Sequence, residues 1–428
     1  MRTQYQTRLE SPEVFKIQLL NWAQQFREIT YLDSNNYQQT YSSFDAILAV
    51  DAFTSVKTDA DNAFEGLRQY QQTTKDWLFG YMSYDLKNDI EDLKSDNHDG
   101  LNFPDLYFFQ PKKLFFIIGD KLEMHYLKMC DDEMELDLDE IKSFSPDYIV
   151  ANSEARIEQR ISQQEYLHKV GVMLEHIQRG DIYEANFCME FFAENTLIDP
   201  VSVFHRLNGI SEPPFAAYFK HHKHFAISAS PERYIRKSGR KIISQPIKGT
   251  ARRSDNPDED SAIQNALRRN QKERSENIMI VDLVRNDLSK TAAKGSVQVE
   301  ELCGAYAFRQ VHHLVSTVVS ELASDYTAID VLKTTFPMGS MTGAPKISAM
   351  KIIEQLEETK RGLYSGAAGY FTPDGDFDFN VVIRSILYNS VNRYVSFSVG
   401  SAITSESTAE SEYEECLLKA KAMLQVLG

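Results

Sequence analysis

The sequence predicts a mixed α/β (α+β) fold with a large core. Three observations lead there. At 428 residues the chain has room for such a core, and on length alone for about two or three domains. Short apolar runs of strand character recur along it, bounded by turn residues. Between them fall longer segments with helical spacing and recognisable caps.

In chain order, residues 12–26 carry Val14, Ile17, Leu20 and Ala23 at helical spacing, which predicts one surface helix. Residues 47–50 and 77–81 read as buried strands. Residues 106–109 and 114–118 read as two strands joined across Gln110-Pro111-Lys112-Lys113. The polar residues 85–100 read as a loop, and the acidic residues 131–140 as a solvated linker. A boundary is expected near 145–155, dividing an N-terminal region, 1–150, from a region 151–428 that forms one unit with it. Ser162 as N-cap, Glu165 completing a capping box and Gly180 as a stop frame a helix. Residues 183–192 then form a strand. His221-His222-Lys223-His224 lies between two strand-like runs and reads as a hairpin turn in preference to a metal site. Residues 225–235 form a strand interrupted by Ser230-Pro231-Glu232-Arg233, and 258–293 one long helix.

Bulk properties exclude several classes. With 42% hydrophobic and 25% charged residues the composition is globular. No apolar run approaches the ~18 residues of a membrane span, and the first residues lack the apolar core of a signal peptide. Cys130, Cys188, Cys303 and Cys416 lie far apart, which suits reduced thiols in a cytoplasm. A net charge of −16 argues against nucleic acid as the partner. It also means that an anionic substrate needs a local Arg, Lys or metal ion.

Four polar clusters carry the chemistry. Pro246 and Gly249 flank Lys248 at a strand-to-turn corner. A lysine fixed there is either a salt-bridged structural residue or a nucleophile, the latter if neighbours lower its pKa from roughly 10.4. Glu273 and Glu276 share one helical face, as do Glu412 and Glu415 near the start of a last helix that Ser407 and Glu410 cap. Two such faces suit an oxygen-ligated Mg²⁺, or simply complement helix dipoles. Residues 337–346 form a glycine-bearing loop running into a helix at Pro345, able to offer N–H groups to an anion. Arg384, in an otherwise apolar strand, requires an anionic partner, a carboxylate or a substrate.

Taken together, the motifs resemble the chorismate-utilising enzymes: the large subunits of anthranilate synthase and aminodeoxychorismate synthase, with isochorismate and salicylate synthases. The resemblance spans about residues 155–425. It rests on Ser230-Pro231-Glu232-Arg233, Pro246-Ile247-Lys248-Gly249-Thr250 and the Glu273-Arg274-Ser275-Glu276-Asn277 stretch through Leu283. It continues in His312 to Ser316, Met338 to Ala349, Tyr364-Ser365-Gly366 to Phe371, Val382-Ile383-Arg384-Ser385 and Glu412 to Glu415. Tyr31-Leu32-Asp33-Ser34 resembles the family's first strand.

The resemblance implies two large antiparallel β-sheets packed face to face with helices outside, as in anthranilate synthase component I. It implies Mg²⁺ held by Glu276 and Glu415, supported through water by Glu273 and Glu412, receiving the ring carboxylate of chorismate. Tyr364 and Arg384 match positions that grip the enolpyruvyl carboxylate. Gly249, Thr250, His313 and Ser340 match further pocket positions, and Glu232 matches the acid that protonates the departing C4 hydroxyl. The glycine-rich turn before the last helix is here Gly400-Ser401-Ala402-Ile403, a departure in the backbone contacts to that carboxylate.

Lys248 is the residue expected in aminodeoxychorismate synthases, where attack of the lysine at C2 precedes addition of ammonia at C4. Anthranilate, isochorismate and salicylate synthases usually place Ala there. Isochorismate and salicylate synthases place a lysine at the position of Glu184 to activate water, which a glutamate cannot reproduce, and many relatives a glutamine. The role of Glu184 is open, deprotonation of Lys248 or ammonia being one candidate. The expected activity is therefore amination of chorismate to 4-amino-4-deoxychorismate for 4-aminobenzoate and folate synthesis. Ammonia is expected from a separate glutaminase subunit, since no such segment occurs in the sequence. The alternatives are an anthranilate synthase large subunit, or a non-catalytic chorismate-binding subunit, which would predict loss of the Glu, Lys and Arg positions.

Overall fold

Alternation of side chains along two long strands sets the architecture. The computed structural model describes residues 2–37, 40–145 and 155–428. In the strand Ala46–Thr58, Ile47 and Ala49 enter one hydrophobic core while Leu48 and Val50 enter another. That period of two marks a strand covered on both faces. Its antiparallel partner throughout is Leu106–Ile118, and the sheet divides at this ribbon. Tyr107, Phe108 and Phe109 also pair with the strand Leu78–Met82, whereas Lys113 to Ile118 pair with Lys121–Leu127.

From Ala46–Thr58 one arm runs through Glu28–Asp33, Phe215–His221, His224–Ser230, Ser385–Asn389 and Tyr394–Ile403 to Glu184–Ala193. From Leu78–Met82 the other arm runs through Ala367–Phe371, Phe377–Val381, Arg233–Ser238 and Lys241–Gln245 to Val311–Glu321. Ile247–Arg252 and Gln298–Ala307 both pair with that last strand. The expected two antiparallel sheets are thus two arms of one continuous network of 20 strands among the described residues. They share a core to which Cys188, Phe219 and Ala226 contribute from one arm and Ile235, Ile242 and Phe379 from the other. The first arm's outer face packs against the helices Pro12–Ala23, Met134–Ser143, Gln163–Arg179, Pro200–Ser211 and Ala409–Leu427.

Local signals hold where a short stretch decides. Ser162 and Glu165 form the capping box, and Gly180 ends that helix at φ 82. The strands on either side of His222-Lys223 form the hairpin. Elsewhere the structure corrects the sequence reading. Leu106–Ile118 is a single strand that runs through Pro111. The partner strand bulges opposite, between Ala52 and Thr54, so proline's missing donor is tolerated. The acidic stretch holds the helix Met134–Ser143, with Met134, Leu138 and Ile141 buried along one face. The polar segment after Met82 opens with the short helix Lys87–Ile90, and Lys87 is buried against Asp85 at 3.5 Å and Glu354 at 3.1 Å. The long helix is two, Pro257–Arg269 and Gln271–Ser289, broken at Asn270. The expected regional boundary falls mainly on residues 146–154, outside the described residues.

Asp137 is the acidic residue with a structural task. Its carboxylate accepts from Lys113 Nζ at 2.6 Å and from the Tyr126 hydroxyl at 2.8 Å, all largely buried. Asp137→Ala strands a buried ammonium that keeps only Glu133. Urea unfolding is expected to show a loss of about 3 kcal/mol, against less than ~0.5 kcal/mol for Asp139→Ala on the exposed face of the same helix.

Candidate active site

Lys248 stands where its strand leaves the ladder. Pairing of Ile247–Arg252 with Val311–Glu321 shifts register between Ile247 and Thr250. Gly249 takes φ 97 there, and a Cβ on it would lie 3.0 Å from Glu273 Oε2 and 3.1 Å from Leu314. Only glycine suits that corner. Asn277, on the helix Gln271–Ser289, ties it down by donating to the carbonyls of Lys248 at 3.2 Å and Leu314 at 3.3 Å. The ammonium so positioned meets Glu184 Oε1 at 2.9 Å; Glu184 is buried and the Lys248 side chain is 12% exposed. The other oxygen of Glu184 is buried with no hydrogen-bond partner among the described residues.

The expected lowering of the Lys248 pKa is not what the site produces. Burial disfavours the ammonium, but Glu184, Glu276 and Glu415 outweigh it, and the pKa is raised. Lys248 rests as a cation.

Around it the glutamates repel one another. Burial, with Glu273 and Glu184 nearby, pushes Glu276 up to about 7 even though Lys248 pulls it down. Burial and Glu415 also raise Glu273. Asn270 accepts from the Glu273 N–H at 3.2 Å and so fixes this carboxylate in the first turn. Glu415 goes the other way: burial opposes ionisation, but Lys419 at 2.6 Å prevails and lowers its pKa. The cap of that last helix is Thr408, one residue beyond the expected Ser407, which instead accepts from the Thr404 N–H. Glu412 is buried on it; among the described residues no hydrogen bond or ion pair joins it to Glu273, Glu276 or Glu415. The described glutamates do not bring three oxygens within 4.8 Å of one another. A donor set of separated, under-neutralised carboxylates fits Mg²⁺, which keeps several waters and takes one or two carboxylates directly.

Glu232 lies on the other arm, 4% exposed. Burial pushes it up to about 7, although Ser340 Oγ donates to it at 2.7 Å and the Ile247 N–H and Lys248 favour its anion. The Pro337–Lys346 loop thus supplies Ser340 as a partner of Glu232. Lys346 is engaged by Asp287 and by the carbonyls of Thr335 and Pro337. His313 is buried, and desolvation with Arg384 nearby drives its pKa down to about 3. Its Nδ1 lies 3.1 Å from Thr250 Oγ1 and 3.3 Å from the Gly249 carbonyl. It is a neutral imidazole.

Arg384 sits in a bend between Phe377–Val381 and Ser385–Asn389 at φ 52, not within a strand. Among the described residues its guanidinium has no ion-pair partner, and burial lowers its pKa despite Tyr364 and Glu415. It lines an open cavity of about 490 Å³ with His313, Lys419, Pro231 and Phe308. Tyr364 is buried with its hydroxyl 3.8 Å from Cys188 Sγ. Gly400 and Ser401 lie in the strand Tyr394–Ile403, paired with Cys188 and Phe187, and not in a turn. A Cβ on Gly400 would come within 2.5 Å of Asn186. The Ser401 hydroxyl turns away, to Tyr166 at 3.1 Å, so only its backbone is left to face a ligand. The sequence reading missed Lys419, which bonds both Glu415 and the Gly400 carbonyl at 2.8 Å. Its spacing of four from Glu415 was the available signal.

A family model described as chorismate binding enzyme matches residues 27–425. The chain belongs to that family. Anthranilate synthase component 1 of Thermus thermophilus is 34% identical over 361 residues, covering 82% of this chain and 77% of the relative. Aminodeoxychorismate synthase component 1 of Bacillus subtilis is 32% identical over 361 residues, covering 81% and 76%. The crystal structure of anthranilate synthase component I from Streptococcus pneumoniae superposes with a TM-score of 0.79 at 25% identity, covering 90% and 93%. This member of the family is thus similar in sequence to both kinds of component 1, and in fold to an anthranilate synthase component I.

Glu232 and Glu276 each titrate near 7 because burial raises them. A carboxyl raised above its unfolded value of roughly 4.3 stabilises most below that value, and the contribution is lost as pH rises through the folded pKa. Difference infrared spectroscopy is expected to show protonated carboxyl bands that vanish with midpoints about 7. Glu232→Gln and Glu276→Gln should each remove one.

Proposed function

We propose that this protein aminates chorismate at C4 to give 4-amino-4-deoxychorismate, for 4-aminobenzoate and folate synthesis. The observation that carries the reading is a buried lysine, held at 2.9 Å by Glu184, near a buried carboxyl raised to about 7. One is suited to attack and the other to protonating a leaving group.

Arg384 and Tyr364 bind the enolpyruvyl carboxylate, the unpaired guanidinium giving charge and the phenol direction. Gly249, Thr250, Ser340 and Gly400, with the Ser401 backbone, line the ring, and neutral His313 offers it a hydrogen-bonding nitrogen. Glu276 and Glu415, backed by Glu273 and Glu412, would hold Mg²⁺, whose positive charge would attract the ring carboxylate and lessen the negative field of these glutamates. Glu184 takes the proton from the Lys248 ammonium. The free amine attacks C2, the ring double bonds shift, the C4–O bond breaks, and Glu232 gives its proton to the departing oxygen, releasing water. Ammonia then adds at C4, the double bonds return, and the C2–N bond to Lys248 breaks. The ionised Glu232 takes the surplus proton of the new ammonium group. Relatives bearing the designation component 1 support a second component, which we assign as a glutaminase supplying ammonia.

Purified protein with chorismate, Mg²⁺ and an ammonium salt at mildly alkaline pH is expected to yield 4-amino-4-deoxychorismate, identified by mass and chromatography. Lys248→Ala should lower turnover by at least ~10⁴-fold, and Glu184→Gln by ~10²-fold with a changed pH profile. Formation of anthranilate and pyruvate would overturn the assignment in favour of an anthranilate synthase. Absence of chorismate binding would overturn the site.

A further inference from the structure

Glu28, His221 and His222 each offer a ligand atom, and the three atoms lie within 4.8 Å of one another. Strand pairing builds the cluster. Glu28 opens the strand Glu28–Asp33 directly across from His221, the last residue of Phe215–His221. His222 follows in a two-residue turn at φ 51, its N–H donating to the Arg27 carbonyl at 3.0 Å. That left-handed residue sends the chain back, and His222 Nε2 reaches Glu28 Oε1 at 3.0 Å.

We infer that these three side chains form a site for a divalent transition-metal ion, Zn²⁺ by ligand chemistry, distinct from the glutamates around Lys248. His221 supplies the second observation. It is 8% exposed, and its Nδ1 is buried with no hydrogen-bond partner among the described residues. The Tyr107 ring lies 3.6 Å away, centroid to centroid, and fixes the imidazole from one face.

Two imidazoles and one carboxylate suit Zn²⁺ and its first-row neighbours, whereas Mg²⁺ and Ca²⁺ take oxygen ligands. Three protein ligands leave a fourth tetrahedral position for water. Lys57 lies near His221, Lys220 near Glu28 and Lys223 near His224. These cations oppose a dication and weaken the site relative to structural zinc. The strand His224–Ser230 leads from the cluster towards Glu232. At ~3.3 Å per residue it holds the two sites roughly 20 Å apart. An ion here clips the strand from the first part of the chain to this hairpin.

The test uses the full chain stripped with a chelator, with excess Mg²⁺ present to occupy the glutamate site. Titration with Zn²⁺, and with Co²⁺ for its visible absorption, is expected to show one equivalent bound. His221→Ala and His222→Ala should each weaken it at least ~10-fold, while Glu276→Gln leaves it unchanged. His222 is half-exposed, so its variant folds, and Zn²⁺ should raise the thermal midpoint of the parent but not of this variant. No binding at saturating Zn²⁺, or binding that both histidine variants keep, would overturn the site.

Discussion

A buried ammonium needs an anion beside it, and Lys248 has several. Glu184 touches it, and Glu276 and Glu415 act on it from further away. At low effective dielectric the two sides of that balance are large, so small displacements change the protonation of every member. The local architecture is arranged to prevent displacement. Gly249 lets the strand turn without a Cβ striking Glu273, and Asn277 bonds the Lys248 carbonyl. A third constraint fixes Asn277 itself, since Ser316 donates to its carbonyl oxygen. The corner is therefore held from the helix and from the neighbouring strand together.

The sheet explains why residues so far apart in sequence meet. Glu184 heads a strand of one arm, whereas Glu232 precedes and Lys248 lies in strands of the other. The arms part at the ribbon of Ala46–Thr58 with Leu106–Ile118, so the N-terminal residues set the spacing of a site they do not line. Gly343-Ala344 pairs with the start of the Glu184 strand while the preceding turn gives Ser340 to Glu232. One short loop therefore spans both sides of the pocket and couples the position of the acid to that of the ion pair.

Much of this was legible where a few adjacent residues settle the matter. Ser162 with Glu165, Gly180, and the two-residue turn at His222-Lys223 each carry their own physics, and each holds. The glutamate pairs were legible as helical faces because a spacing of three fixes direction. What failed depended on partners remote in sequence. Pro111 continues a strand only because a bulge faces it. The helix beginning at Met134 is hidden by acidic residues until its apolar face finds a core. Ser401 looked like part of a carboxylate-binding turn, yet strand alternation points its hydroxyl at Tyr166. The direction of the Lys248 shift follows from three glutamates of which sequence spacing says nothing. The Glu28 and His221 pairing is of the same kind, a contact that only register creates.

Lys248 and Glu232 show how burial can produce opposite chemical characters from one resting state. Both hold a proton near neutrality, for different reasons. Glu232 keeps its proton because desolvation dominates over its hydrogen bonds, and Lys248 keeps its own because carboxylates dominate over desolvation. A proton held by desolvation is given up readily to a developing oxyanion, since the donor pays no lost ion pair. A proton held by anions leaves only when those anions are neutralised or one of them accepts it. The group in contact, Glu184, has one oxygen on Lys248 and the other buried without a partner. A carboxylate accepts on both oxygens, so Glu184 has acceptor capacity beyond the Lys248 contact. In the proposed chemistry, transfer of a proton from Lys248 to Glu184 frees the amine for attack.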